Sequence, residues 1–387
     1  MKKKEGICEK MANLFDYLDW RGDLRLEDSP FCEVDAMILA RLSYLPFERT
    51  SLAGGSELTV KAAAAEILAL PEIETSLLLR DDLRFLRALS ASRRFRSLPL
   101  FGQESETCAE TQTQFSAIGV RLSPKRIHLS FRGTDNTLIG WKEDLDMGFV
   151  CPVPAQSQAV RYLEKMASAH PGEITLSGHS KGGNLAVYAA AFCREEIQSR
   201  IRTVYNYDGP GFDDCVLQSE GYQRVCARVK TYVPQSSVVG MLLGHREKTV
   251  TVHSDNQGLT QHDLYSWEVA RNRFVTLRSV TQSSRFVDQT LKHWLGELSR
   301  EQRELFVDAV YTVLRDTNAS TLREMGERRW ESAMRMLRSF TNLDPLTRRA
   351  AMTAVGMLLK STKAGFDGLR AAGEEGEKEK SARKKTI

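Results

Sequence analysis

The first part of the chain spaces its hydrophobic residues as amphipathic helices do. The stretches CEVDAMILARLSYL, TVKAAAAEILAL and TSLLLRDDLRFLRAL repeat apolar residues at helical intervals. This pattern predicts a mainly helical N-terminal region over residues 1–105, which packs on the rest of the protein.

The pattern then changes to short β-rich runs. TQFSAIGVRLS and RIHLSFRGT are separated by Pro124-Lys125, which predicts a hairpin. The later runs EITLSG, TVYNYDGPG and RVKTYVP alternate with helix-length segments such as NLAVYAAAFCREEI. Alternating strands and helices predict an α/β core over residues 106–280, with a mostly parallel sheet and helices on both faces. Ligands of such sheets bind beyond the carboxyl ends of the strands.

Capping signals predict a C-terminal helical region over residues 281–370. They are two capping-box pairs and one N-cap followed by proline: Ser299 with Gln302, Thr321 with Glu324, and Asp344 with Pro345. Residues 371–387 have almost nothing to bury, so we expect a disordered tail.

The stretch DPLTRRAAMTAVGMLLKSTKAGF places apolar residues beside several basic ones. The commoner explanation is a helix that faces the core and exposes a basic side. The alternative is a helix that rests on an anionic membrane surface, so peripheral membrane contact stays open.

Composition excludes several classes of protein. The chain has 387 residues, 42% of them hydrophobic, and a net charge of only +4, without a basic stripe interleaved with aromatics. We therefore expect no nucleic-acid partner. The seven cysteines form no CxxC pair, which argues against a disulfide framework and a zinc site and suits a reducing compartment. No cofactor or metal is expected.

The N-terminal stretch MKKKEGICEKMANLFDYLDW has a basic head followed by acidic and polar residues, which is not the pattern of a signal peptide. No apolar run approaches the roughly 20 residues that a membrane-spanning helix requires. These observations predict a cytoplasmic protein.

The segment Gly178-His179-Ser180-Lys181-Gly182 fits G-x-S-x-G between a β-rich run and a helix-forming run. This context is typical of a nucleophile elbow, in which glycines are required because a Cβ would collide with the adjoining strand or helix. The helix N-terminus and the backbone N–H of Lys181 would stabilise a developing oxyanion. The alternative is a glycine-rich turn without chemistry.

A second motif lies upstream of this turn. Phe131-Arg132-Gly133-Thr134, then Trp141 and Asp144-Leu145, then Gly-His-Ser-x-Gly-Gly resemble the class 3 lipases, a branch of the α/β-hydrolase superfamily, over roughly Thr111 to Trp267. The helical terminal parts resemble a bacterial group of hydrolase-fold proteins that is similar to these lipases. The resemblance implies an α/β-hydrolase fold, and it implies that Thr134 supplies an oxyanion donor.

The general base must follow the later strands, because this fold orders its triad as serine, acid, histidine. The histidines that meet this order are His245, His253, His262 and His293. His262, in LTQHDLYSW, is the favoured base because it follows a β-run by a loop and because His-x-x-Tyr resembles the end of the lipase pattern. His253, which we expect to be a buried strand residue, and His245 are the alternatives, whereas His293 lies in a helical stretch.

The acid departs from the lipase pattern. In class 3 lipases an Asp follows the strand that reads RVKTYVP here, but Ser237 occupies the expected position. Asp208, one strand earlier, is the predicted acid, because any carboxylate within hydrogen-bond reach would orient His262. The alternative is that Asp208 only caps the turn DGPG. Asp255 and Asp263 are weaker candidates.

Lys181 also departs from the lipase pattern, in which an apolar residue usually follows the serine. We expect its side chain to be solvated at the surface. The alternative is that its charge draws anionic substrates toward the site.

Together these features predict a serine hydrolase that cleaves carboxylic esters through an acyl-enzyme. The resemblance implies lipid or lysophospholipid acyl esters as substrates, and the flanking helices would form an acyl channel or lid. One alternative is an inactive hydrolase-fold binding or scaffold protein, which the missing acid favours. Another is an amidase or thioesterase that uses the same residues.

Overall fold

The computed structural model describes residues 11–135, 137–148, 150–316, 329–349 and 351–355. The expected capping pair Thr321–Glu324 and the expected disordered tail 371–387 lie outside the described residues.

Nine strands form one mixed sheet at the centre of the described structure. In order across the sheet they are β1 (Leu58–Thr59), β2 (Pro99–Cys108), β3 (Thr113–Ser123), β4 (Arg126–Phe131), β5 (Glu173–His179), β6 (Ile201–Tyr207), β7 (Val229–Pro234), β8 (Thr249–Val252) and β11 (Thr276–Leu277). The short strands β9 (Val269–Ala270) and β10 (Arg273–Phe274) pair with each other. Strands β4 to β8 run parallel, whereas the pairings at both edges are antiparallel.

Helices precede, cover and follow this sheet. Those of the N-terminal part are α1 (Leu14–Arg21), α2 (Glu33–Leu42), α3 (Val60–Leu68), α4 (Ile73–Ser76) and α5 (Asp82–Ala91). Those of the central part are α6 (Leu138–Asp146), α7 (Pro154–Ala169), α8 (Lys181–Phe192), α9 (Glu195–Arg200), α10 (Asp214–Leu217) and α11 (Glu220–Cys226). The C-terminal part contains α12 (Gln282–Glu297), α13 (Arg300–Arg315) and α14 (Arg329–Asn342), and residues 345–349 and 351–355 are also helical.

Each face of the sheet packs against its own apolar cluster. Ile118 and Val120 of β3 join the cluster formed with α2, α3 and α5. Phe115 and Ala117 of the same strand join the cluster formed with α7 and α8. This alternation follows from the two-residue period of a strand. The expected α/β-hydrolase fold, with helices on both faces and helical additions at the termini, is confirmed.

The described residues confirm two local predictions. Strands β3 and β4 form the hairpin expected around Pro124-Lys125. At the start of α13, the Gln302 amide donates to Ser299 Oγ at 3.2 Å, and the Ser299 amide donates to Gln302 Oε1 at 2.9 Å. The proposed division at residue 105 stays a prediction, and β2 spans it.

The C-terminal helices extend the structure beyond the sheet. Helix α13 lies against α6, and Lys142 Nζ is 3.2 Å from Asp308 Oδ1. Within the part of the chain that the structure describes, no helix has both the length and the apolar character needed to cross a membrane. Peripheral membrane contact stays a prediction.

His128 is a buried histidine at the centre of the sheet. Its Nδ1 lies 2.8 Å from Thr175 Oγ1 and its Nε2 lies 2.7 Å from Ser177 Oγ, so neighbouring hydroxyls satisfy both ring nitrogens. Burial lowers the pKa of His128 to about 3. The folded protein therefore keeps this ring neutral while the unfolded chain protonates it near the ordinary pKa.

Because the unfolded state alone takes up this proton, acid should destabilise the protein through His128. Between about pH 7 and about pH 5, the His128→Gln variant should lose about 2 kcal/mol less unfolding free energy than the wild type. Urea denaturation at the two pH values measures this difference. Equal losses in the two proteins would contradict a neutral buried ring.

Candidate active site

Ser180 lies at a sharp turn between β5 and α8. Its backbone has φ 58° and ψ −133°, a conformation that costs free energy in a residue other than glycine. A Cβ on Gly178 would collide with the carbonyl oxygen of Gly182, and one on Gly182 would collide with that of Phe131. The strand, turn and helix that the G-x-S-x-G motif predicts are therefore present, and the glycines are needed for the expected steric reason.

The predicted acid and the predicted base are hydrogen-bonded. Asp208 follows β6 and is 1% exposed, and its Oδ2 lies 2.7 Å from Nδ1 of His262. A carboxylate at this distance accepts a hydrogen bond from Nδ1–H, which leaves the lone pair of Nε2 available to act as a base. The His262 side chain is 29% exposed, so solvent and small molecules can approach the ring.

Ser237 occupies the place where the lipase pattern has its acid, and it contacts Asp208. Its hydroxyl donates to Asp208 Oδ1 at 2.5 Å, and the amide of Gly240 donates to the same oxygen at 3.2 Å. One carboxylate oxygen of Asp208 thus bonds to His262, while the other accepts hydrogen bonds from two residues that follow β7. The sequence signal for this role of Ser237 was that a serine stands where the lipase pattern has an acid.

Two hydrogen bonds hold Ser180 at the same edge of the sheet as Asp208 and His262. The Ser180 amide donates to the carbonyl of Tyr207, the residue before Asp208, at 2.9 Å. Nε2 of His179, the residue before Ser180, donates to the carbonyl of His262 at 2.8 Å. The elbow is therefore tied to both the acid strand and the loop of the base.

Tyr44 contacts the elbow from the N-terminal helices, a role that the sequence did not predict. Its hydroxyl lies 3.0 Å from Nδ1 of His179 and 3.2 Å from the backbone carbonyl oxygen of the same residue. Burial holds the pKa of His179 well below its usual range, so the ring is neutral, donates through Nε2 and accepts at Nδ1. No local motif marks Tyr44, because its partners lie far along the chain.

The loop of His262 is also anchored on the N-terminal helices. The Tyr265 hydroxyl donates to Asp82 Oδ1 at 2.7 Å, and Asp82 forms a buried ion pair with Arg41. The Trp267 indole donates to the carbonyl of Gln261 at 2.9 Å. These contacts fix the short helical turn that presents His262.

Thr134 and Lys181, the predicted oxyanion donors, lie on two sides of Ser180. A Cβ on Gly133 would approach Ser180 Cβ to 3.1 Å, which places the start of the Thr134 loop beside the serine. The Thr134 hydroxyl donates to Asp144 Oδ2 at 2.5 Å. Burial raises the pKa of Asp144 to about 6. The Lys181 amide belongs to the first turn of α8, whose N–H groups have no partner within the helix.

The prediction that the Lys181 side chain is solvated is wrong. The side chain is 0% exposed, and Nζ lies 2.9 Å from Glu143 Oε2, 2.9 Å from the Gln114 carbonyl and 2.7 Å from Gln114 Oε1. Glu143 also accepts the amide of Ala155 through Oε1 at 2.9 Å. Because a buried carboxylate compensates the charge of Lys181, this lysine is part of the support beneath the elbow and not a surface attraction for anions.

The alternative bases have other partners. Nδ1 of His245 lies 2.8 Å from Glu247 Oε1, and Nδ1 of His253 lies 2.8 Å from Glu268 Oε2. His253 directly follows β8 and is half-buried, so it is less enclosed than a core strand residue. His293 is exposed on α12.

The model of the Mbeg1-like family matches residues 89–312, which is more than half of the chain. The chain belongs to the Mbeg1-like family. This family is lipase-like, which supports the lipase-like part of the resemblance; the class 3 branch and the bacterial group stay predictions. The match begins before β2 and reaches into α13, so it includes Ser180, Asp208 and His262. Tyr44, Arg41 and Asp82, which contact the site from the N-terminal part, lie outside it.

Three solved structures to which this Mbeg1-like chain is similar are lipases. Native Rhizomucor miehei lipase in its propeptide complex has 17% identity and a TM-score of 0.33, covering 53% of this chain and 72% of that one. M37 lipase has 13% identity and a TM-score of 0.33, covering 54% and 68%. A triacylglycerol lipase from Penicillium expansum has 11% identity and a TM-score of 0.29, covering 47% and 81%. None of the curated proteins matches the chain.

Lys181→Met should strongly destabilise the protein, because it leaves the Glu143 carboxylate buried without its cation. Breaking one side of a buried ion pair costs about 3–5 kcal/mol. The double variant Lys181→Met/Glu143→Gln should recover part of this loss, since the Glu143 charge is removed together with its closest cation. Urea denaturation of both variants checks the difference. A single variant as stable as the wild type would contradict the buried pair.

Proposed function

We propose that this Mbeg1-like protein is a serine hydrolase of carboxylic esters. Ser180 is the nucleophile, His262 the general base and Asp208 the acid that orients it. The observation that carries the proposal is the 2.7 Å contact between His262 Nδ1 and Asp208 Oδ2 beside the strained turn of Ser180. A buried carboxylate on the far nitrogen of an imidazole is the arrangement that activates a serine hydroxyl.

The reaction would proceed through an acyl-enzyme. Ser180 Oγ attacks the ester carbonyl while His262 Nε2 takes the hydroxyl proton, and Asp208 stabilises the resulting imidazolium. The backbone N–H groups of Lys181 and Thr134 hold the developing oxyanion. His262 then gives its proton to the departing alcohol. A water activated by the same ring attacks the acyl-enzyme and releases the acid and Ser180.

Lipid acyl esters, including lysophospholipids, are the substrate class that we propose. The support is the lipase-like family and the motif from Phe131 to Asp144. Helix α6 follows the Thr134 loop and lies against α13, and we propose that the acyl chain binds beside it. Recognition of an anionic headgroup would require cations other than Lys181, whose side chain is buried.

A fluorophosphonate probe tests whether Ser180 is activated. The wild-type protein should be labelled on the peptide that contains Ser180, because the probe reacts with nucleophilic serines. Ser180→Ala should abolish labelling. Ser157→Ala, which changes a serine on α7, should leave it intact. Failure of the folded wild-type protein to react would instead support an inert binding or scaffold module.

Hydrolysis assays test the roles of the acid and of Ser237. Asp208→Asn should lower kcat by about 10⁴, the scale of loss expected when the imidazole takes the wrong tautomer. Ser237→Ala should lower kcat by about tenfold to a hundredfold, since it removes one hydrogen bond to a charged group. Hydrolysis rates are measured with acyl esters, thioesters and amides as substrates. The preferred substrate separates an esterase from a thioesterase or an amidase.

Asp263→Asn is the matched control for Asp208→Asn. Asp263 is the neighbour of His262 in the chain, and its carboxylate accepts the amide of Tyr265 at 3.0 Å, a contact that asparagine preserves. Its kcat should stay close to that of the wild type. Equal losses in the two variants would argue against a special role of Asp208.

A further inference from the structure

Two cysteines and one aspartate from two separate segments of the chain lie close together near the surface. Cys151 precedes α7, whereas Asp213 and Cys215 lie at the start of α10. The thiol sulfurs of Cys151 and Cys215 and a carboxylate oxygen of Asp213 lie within 4.8 Å of one another. Cys215 Sγ also donates to Asp213 Oδ1 at 3.0 Å. The triad proposed above uses none of these groups.

The three side chains are a suitable ligand set for zinc. Thiolates and carboxylates bind Zn²⁺ directly, at S–Zn and O–Zn distances of about 2.0–2.3 Å, and a tetrahedral ion needs ligands that can approach within a few ångströms of each other. Three protein ligands leave one position for water. Asp213, Cys215 and Cys151 are all exposed, so an ion can enter from solvent.

Buried hydrogen bonds already hold the two ligand-bearing segments together. Gln156 accepts the Val153 amide at 3.0 Å and donates to Asn184 Oδ1 at 2.9 Å. Asn184 in turn donates to the carbonyls of Pro210 and Gly211 at 3.2 and 2.9 Å. These bonds, which pass through Asn184 of α8, fix the position of the Cys151 segment relative to the loop that leads to Asp213. Ligands that are held in place before the ion arrives favour metal binding.

The Asp213 carboxylate beside the two thiols gives the cluster a negatively charged ligand that attracts a cation. A divalent cation displaces the thiol protons as it binds, so the three side chains can coordinate it together.

We propose that Cys151, Asp213 and Cys215 bind one Zn²⁺ ion, with water as the fourth ligand. Binding releases the two thiol protons to solvent and forms two zinc–sulfur bonds and one zinc–oxygen bond, without any change of oxidation state. The ion cross-links the segment before α7 to the loop that begins at Asp208. The absence of a CxxC pair did not exclude this site, because its ligands come from segments that only the fold brings together.

Cobalt titration of the reduced full-length protein tests the proposal. In mildly alkaline buffer, Co²⁺ should bind with a stoichiometry of about one and produce the thiolate-to-cobalt charge-transfer absorption expected of two sulfur ligands. Zn²⁺ should displace it. Cys215→Ser should abolish the band. Asp213→Asn, which keeps an N-cap for α10, should weaken Co²⁺ binding by at least about tenfold.

Two matched variants separate ligands from neighbours. Asp214→Asn removes an adjacent negative charge, and Cys226→Ser removes another partly buried thiol. Both should keep the wild-type band, and circular dichroism should show that all variants are folded. A wild-type protein without the band, or a band that persists in Cys215→Ser, would overturn the site. Formation of a Cys151–Cys215 disulfide by peroxide in protein that takes up no Co²⁺ would identify a redox pair instead.

Because none of these readouts depends on ester hydrolysis, loss of the metal site and loss of the proposed hydrolase activity are distinguishable. A protein that binds Co²⁺ but does not react with a fluorophosphonate would keep this proposal and refute the other.

Discussion

The hydrogen bond between Asp208 and His262 is the interaction on which the candidate site depends. It decides which imidazole nitrogen carries the proton, and therefore whether the other can accept one from a hydroxyl. The carboxylate is almost fully buried, and Ser237 and Gly240 fix its second oxygen. A buried charge that is hydrogen-bonded on both oxygens has little freedom to turn away from its histidine. We therefore propose that the carboxylate at the end of β6 takes the role of the acid that the lipase pattern has after β7.

The N-terminal helices complete this site although they lie mostly outside the family match. Tyr44 contacts His179 in the elbow, and Asp82 receives the Tyr265 hydroxyl from the loop of His262. Below the turn, Lys181 and Glu143 pair in a setting without solvent. Ser180, Asp208 and His262 are therefore held by contacts from three separate parts of the chain. A preorganised site needs supports of this kind, because small displacements of reacting groups cost large factors in rate.

Sequence patterns predicted the features that arise within a few residues of each other. The elbow glycines, the hairpin at Pro124-Lys125 and the cap at Ser299 follow from local sterics and local hydrogen bonding. Asp208 and His262 were predicted from strand ends and chain order, and their side chains are hydrogen-bonded; their catalytic roles stay a prediction. Burial of Lys181 was missed, since it depends on Glu143 arriving from another helix. The anchoring role of Tyr44 was missed for the same reason.

The protonation state of His262 is the most direct test of this account. Nitrogen NMR of protein carrying ¹⁵N-labelled histidine, with His262→Asn to assign the signals, distinguishes the two ring nitrogens. At neutral pH the account predicts a proton on Nδ1, with a downfield resonance that disappears in Asp208→Asn, and an unprotonated Nε2. A neutral ring protonated on Nε2 would contradict it, because such a ring cannot accept the proton of Ser180.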